Sequence, residues 1–122
     1  MTLRRLVVLL LVLAAGCGTS SAQPVGPPAT QARLGLIEWD ITSSAEVLAE
    51  GDVELVLTNA GATVHDLRLV GEQTDEYVDL LEPGEAARIR LDLQGEQQLR
   101  LWCTVPGHRS QGMERSLAVG GG

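Results

Sequence analysis

The chain has 122 residues, a formal net charge of -7 and no lysine. That length accommodates one small domain rather than two, and an acidic surface argues against nucleic-acid binding and against a polybasic membrane contact. With no phenylalanine, one tyrosine and two tryptophans, the interior has to be filled by Leu, Val and Ile.

The N-terminus reads MTLRRLVVLLLVLAAGC. Arg4 and Arg5 form a positive start, Leu6 to Leu13 an unbroken apolar run, and Ala14-Ala15-Gly16 a small-residue exit. A folded helix needs about 20 apolar residues to span a bilayer, so this run has the layout of an export signal instead. LAAGC resembles the bacterial lipoprotein box. The resemblance implies a signal peptide over residues 1–16 and lipidation of Cys17 as the mature N-terminus; an ordinary cleavage site at Ala22 is the alternative. Once Arg4 and Arg5 are removed, sixteen acidic residues face seven arginines, a net charge of about -9. Long-range steering by such a surface favours a cationic partner.

Residues 17–33 carry GTSSAQPVGPPATQAR after the cysteine, rich in Ser, Pro, Gly and Ala, and read as a linker without fixed structure. At roughly 3 Å per residue it could hold a domain up to about 50 Å from a membrane. The chain is therefore expected to be exported and anchored by lipid, facing the periplasm or the cell exterior.

From residue 34 to 120 the pattern has period two. Ile37, Trp39 and Ile41 alternate with polar neighbours, then Val53, Leu55 and Leu57. Ser43 to Glu50 has Ser43 and Glu46 at capping-box spacing, but it is short and reads better as a strand edge. Leu67 and Leu69 follow His65, and Ala87, Ile89, Leu91 and Leu93 alternate with Arg88, Arg90, Asp92 and Gln94. Leu99, Leu101 and Cys103 form another series, and Leu117 and Val119 the last. Turn signals GD, NAG, EPGE and QGE interrupt these runs. Such alternation predicts an all-β domain, a Greek-key sandwich or barrel of about seven to eight strands.

Two cysteines in an exported chain ordinarily pair. If Cys17 is lipidated, Cys103 stands alone, on the inward face set by Leu99 and Leu101. CTVPGHRSQGM then places His108 and Met113 after it, with four residues in each gap. Singly, a buried thiol, a loop histidine and a gap-filling methionine are ordinary features. Together they offer a thiolate, an imidazole and a thioether, a donor set that suits copper. Zinc usually recruits four strong ligands and rarely uses methionine. A trigonal copper site needs one more histidine, and the only other one is His65.

TNAGATVHDL, EPGE, QLRLWC and CTVPGHRSQGM, in that order and spacing, resemble the cupredoxins, the small blue-copper proteins. The four-residue gaps on either side of the histidine are similar to the rusticyanin, auracyanin and sulfocyanin branch, whereas plastocyanin has a shorter cysteine-to-histidine gap. The resemblance runs from Ile37 to Val119. It implies one mononuclear type 1 copper held by His65, Cys103 and His108, with Met113 axial. It also implies hydrogen bonds between Asp66 and Thr104, which would orient the ligands. Family members commonly have Asn where Asp66 stands; an ionised carboxylate there would stabilise Cu(II) and lower the reduction potential. Gly is common two places after the methionine, where this chain has Arg115.

The function implied is one-electron transfer, not enzyme catalysis. His108 would be the electron port, within a partner surface formed with Pro106, Gly107 and Gly112, and Arg109 would make that surface less apolar. Partners would be redox proteins of a membrane chain, bound briefly by a monomer. A copper chaperone or scavenger that binds without redox cycling is the alternative, although no methionine or histidine cluster beyond the four ligands supports it. An adhesion module on the same scaffold would not need all four ligands. A nitrite reductase needs a second copper site with further histidines, and the binuclear oxidase domain needs a paired-cysteine motif.

Overall fold

A computed structural model describes Gly16, Gly18 and residues 26–120. The N-terminal apolar run read as an export signal and Cys17 fall outside the described residues, and with them the expectation of lipidation.

Among the described residues nine strands run in chain order: β1 Gln31–Ile37, β2 Asp40–Ser43, β3 Val47–Leu48, β4 Asp52–Asn59, β5 His65–Val70, β6 Asp75–Leu81, β7 Ala86–Asp92, β8 Gln98–Trp102 and β9 Glu114–Val119. They form two sheets, β2-β1-β4-β7 and β3-β9-β8-β5-β6. The chain passes between the sheets after β2, β3, β4, β6 and β7, which gives the crossed connectivity of a β-sandwich. β1 runs parallel to β4 and β3 parallel to β9, while the other pairings are antiparallel.

The inner faces meet in an aliphatic core. Leu55 and Leu57 of β4, Leu67 and Leu69 of β5, Leu99 and Leu101 of β8 and Leu117 of β9 are all fully buried. Each fully buried leucine contributes about 1.5–3 kcal/mol relative to an exposed one. The strand period thus aims one residue in two at the facing sheet.

Three features differ from the sequence reading. The linker expected over residues 17–33 ends earlier, because β1 begins at Gln31. Gln31 to Leu36 pair with Glu54 to Asn59 of β4, and Ala32 is buried, so the distant strand β4 supplies the order that local composition does not. The second difference lies at Trp39, which occupies the turn between β1 and β2 instead of a strand. The inward residues of β1 are Ala32, Leu34 and Leu36, and Trp39 is 39% exposed. The third is β6, which sequence alternation did not mark: Asp75, Glu76, Tyr77, Asp79 and Leu80 are all exposed on this edge strand. Ser43 to Glu50 is the strand edge expected, split between the end of β2 and the two-residue β3.

Away from the site, Glu96 is a buried clamp. Its carboxylate accepts the amides of Glu72 at 2.5 Å and of Gln73 and Thr74 at 2.8 Å, plus the Thr74 hydroxyl at 2.9 Å. Burial pushes its pKa up, but these donors outweigh burial and hold it below the ordinary 4.5. A carboxyl with a lowered folded-state pKa contributes stability that is complete above the unfolded value and lost as pH falls through the folded one. At pH 7 the wild type is therefore expected to outlast Glu96→Gln in urea denaturation, with the gap closing as pH falls below 4.5. A gap that stays constant down to strongly acid pH would show that the carboxylate charge contributes nothing.

Candidate metal centre

His65 opens β5, directly after the loop 60–64. Asn59, itself buried, closes that loop: its amide nitrogen donates to the carbonyls of Thr63 and Leu81, both at 2.8 Å, and its carbonyl oxygen accepts Gly61 N–H at 2.9 Å. The pairing of β5 with β6 shifts register between His65 and Leu67. A regular strand sends successive side chains to opposite faces, and a bulge re-aims them. His65, Asp66 and Leu67 are consequently buried in succession.

Cys103 follows β8 on the inward face of Leu99 and Leu101 and is fully buried. Its amide donates to the Met113 carbonyl at 3.1 Å, which closes the loop into β9. Inside the loop, His108 N–H donates to Val105 at 3.0 Å and Met113 N–H to the His108 carbonyl at 3.2 Å. Gly107 takes φ 83° and Gly112 φ 123°, conformations that side chains rarely adopt. A single 3-10 turn spans Arg109–Gln111. Met113 is fully buried beside Cys103, while His108 is half-buried.

These elements bring three donors together. Cys103 Sγ lies 3.9 Å from His65 Nδ1 and 3.6 Å from His108 Nδ1, and the two nitrogens are 3.1 Å apart. A point equidistant from the three atoms lies about 2.1 Å from each, within the range of about 2.0–2.3 Å that nitrogen and sulfur make to a first-row dication. His65, Cys103 and His108 are the only cluster of this kind among the described residues. The donor set of two imidazoles and a thiolate therefore fits a type 1 copper site. Burial raises the Cys103 pKa, so metal binding has to displace its proton.

Behind the cluster, Asp66 and Thr104 are joined as the resemblance implied. Thr104 N–H donates to Asp66 Oδ1 at 2.6 Å, the Thr104 hydroxyl donates to Oδ2, and Tyr77 O–H donates to Oδ2 at 2.9 Å. Burial pushes the Asp66 pKa up, but the bonds from Thr104 and Tyr77 prevail and hold it below 3.8. Tyr77 is the partner that sequence reading missed, because β6 carried no pattern.

Glu38 was missed as well. In the turn between β1 and β2, its Oε1 accepts His65 Nε2–H at 2.8 Å. The same carboxylate accepts Ala62 N–H at 3.1 Å, Thr63 N–H at 2.9 Å and the Thr63 hydroxyl at 2.8 Å. The Ala62 amide, then the Thr63 hydroxyl and amide, lower its pKa from 4.5 to about 2. The adjoining Trp39 ring meets the His108 ring edge-on, with centroids 4.9 Å apart. Nothing local in IEWDI marks either residue; their partners lie in loops far along the chain.

The two arginines that departed from the family pattern have structural partners. Arg109 Nε donates to Glu114 at 2.8 Å, and its guanidinium lies 4.4 Å from the Trp102 ring. It thus engages Trp102 and Glu114 beside the loop. Arg115 reaches the Ile41 carbonyl at 3.2 Å and pairs with Glu46, tying β9 to the β2–β3 segment.

No protein-family model matches the chain, and no curated protein matches it. Solved structures do. A dithionite-reduced auracyanin from the photosynthetic bacterium Roseiflexus castenholzii superposes with TM-score 0.64 at 16% identity, covering 77% of this chain and 99% of that one. Auracyanin A of Chloroflexus aurantiacus, a "blue" copper protein, gives 0.57 at 16%, over 78% of this chain and 100% of that one. A copper nitrite reductase from Nitrosomonas europaea gives 0.55 at 19%, but this chain covers only 40% of it. The fold is that of the cupredoxins. On that fold, buried His65 and Cys103 and half-buried His108 stand where the donors fit one type 1 copper.

Proposed function

We propose that this protein is an exported, membrane-tethered electron carrier in which His65, Cys103 and His108 would hold one copper, with Met113 as a fourth donor. The observation that carries the reading is the convergence of both histidines of the chain and Cys103 into one triangle of metal-binding size. Copper held there supplies a one-electron couple.

The chain's own residues keep the change on transfer small. Two donors sit beside strands of the same sheet, β5 and β8, and the third lies in a loop closed by backbone hydrogen bonds. Scaffold rigidity limits movement of the ligands between oxidation states. His108 is the proposed exit for the electron, since it alone of the three is half-buried. Exposed Pro106, Gly107 and Gly112 and the Trp39 edge surround it. The acidic remainder of the surface favours a cationic redox partner, bound weakly and briefly as a monomer. Both histidines are used in this centre, which leaves none for the second copper site of a nitrite reductase.

The test is to load the protein with Cu(II), then reduce and reoxidise it beside a Cu(I) chelator. A carrier is expected to show a strong visible band that bleaches and returns with copper retained. Loss of copper to the chelator on reduction would favour the chaperone reading, and a colourless complex would sink both the site and the carrier.

A further inference from the structure

The turn between β1 and β2 touches both histidines. Glu38 Oε1 accepts His65 Nε2–H at 2.8 Å, and Trp39 meets the His108 ring edge-on. Glu38 is itself fixed by the Ala62 and Thr63 amides and the Thr63 hydroxyl, so its carboxylate cannot swing freely. Two glycines permit the approach. A Cβ on Gly61 would lie 2.5 Å from Glu38 Oε1, and one on Gly112 would lie 2.9 Å from the Trp39 carbonyl oxygen. Sequence positions 38, 61 to 65 and 108 to 112 thereby meet at one point.

We propose that this turn braces both imidazoles, with Glu38 as a positioning residue for His65. The inference rests on the copper reading above. With the proton held on Nε2 by the carboxylate, Nδ1 is left unprotonated and faces Cys103 Sγ and His108 Nδ1. A carboxylate on the far nitrogen fixes the tautomer and ring orientation of a metal-binding histidine and raises its basicity. A more basic imidazole favours Cu(II) over Cu(I), so Glu38 lowers the reduction potential. The edge contact of Trp39 limits tilting of the His108 ring from the same turn.

Two variants test this differently. Glu38→Gln keeps a hydrogen-bonding group but removes the charge. Gly61→Ala keeps the charge but drives the carboxylate away from its seat. In metal-free protein, nitrogen-15 NMR of the histidines is expected to show His65 protonated on Nε2 in the wild type and a mixture of tautomers in both variants. In copper-loaded protein, both variants are expected to bind Cu(II) about 10–100-fold more weakly. Where Cu(I) affinity is unchanged, the potential rises by about 59 mV for each tenfold. An unaltered tautomer and an unaltered potential in Glu38→Gln would overturn the proposal, as would an Nδ1-protonated His65 in the metal-free wild type. If the wild type fails to give a copper–thiolate band, the copper reading falls while the NMR comparison still decides whether Glu38 orients His65.

Discussion

Cys103→Ser is expected to abolish the strong visible absorption of the copper-loaded protein. That band is charge transfer from thiolate sulfur to Cu(II), and serine oxygen offers no comparable donor orbital. The substitution removes the donor shared by both short contacts to the histidine nitrogens, at 3.6 and 3.9 Å. Cu(II) affinity is expected to fall further than the roughly 10–100-fold typical of losing an outer hydrogen bond. A spectrophotometric copper titration measures both effects, with circular dichroism of the metal-free variant as the check on folding. Retained colour in the variant would exclude Cys103 as a ligand.

Leu101→Ala should have the largest effect on stability, about 2–5 kcal/mol. Leu101 is fully buried, pairs with Leu69 of β5 and Arg115 of β9, and is the inward residue next before Cys103. Among the described residues the buried core holds no phenylalanine, tyrosine or tryptophan, so no large aromatic of the core can close over the cavity. Against a total of about 5–15 kcal/mol for a small domain, this loss is severe. Leu80→Ala provides the contrast: half exposed on β6, it should change the denaturation midpoint by no more than about 0.5 kcal/mol equivalent. Equal effects at the two positions would contradict the packing described.

What the sequence disclosed follows the range over which each feature is determined. The alternation through β4, β8 and β9 is a local consequence of one face being buried, and it could be read directly. His65, Cys103 and His108 stood out because the chain has two histidines and, after Cys17, a single cysteine. Features fixed by distant partners were not legible. β1 begins at Gln31 because β4 lies beside it. Glu38 acquires its role from amides more than twenty residues away, and Tyr77 from Asp66 across a sheet pairing. The bulge at Asp66 breaks the very periodicity on which strand reading depends. Trp39, apolar and in phase with Ile37 and Ile41, mimicked a strand residue while forming a turn.

The acidic edge strand β6 bears on how copies of this protein behave when crowded together. An edge strand presents unpaired backbone groups that invite a second chain to dock alongside. On β6 that invitation is countered by Asp75, Glu76 and Asp79, all exposed within seven residues. Two copies meeting antiparallel through this edge would set carboxylates against carboxylates, a repulsion that grows as surface density rises. Copies brought close together would thus be kept from edge-to-edge stacking by the carboxylates that β6 turns outward.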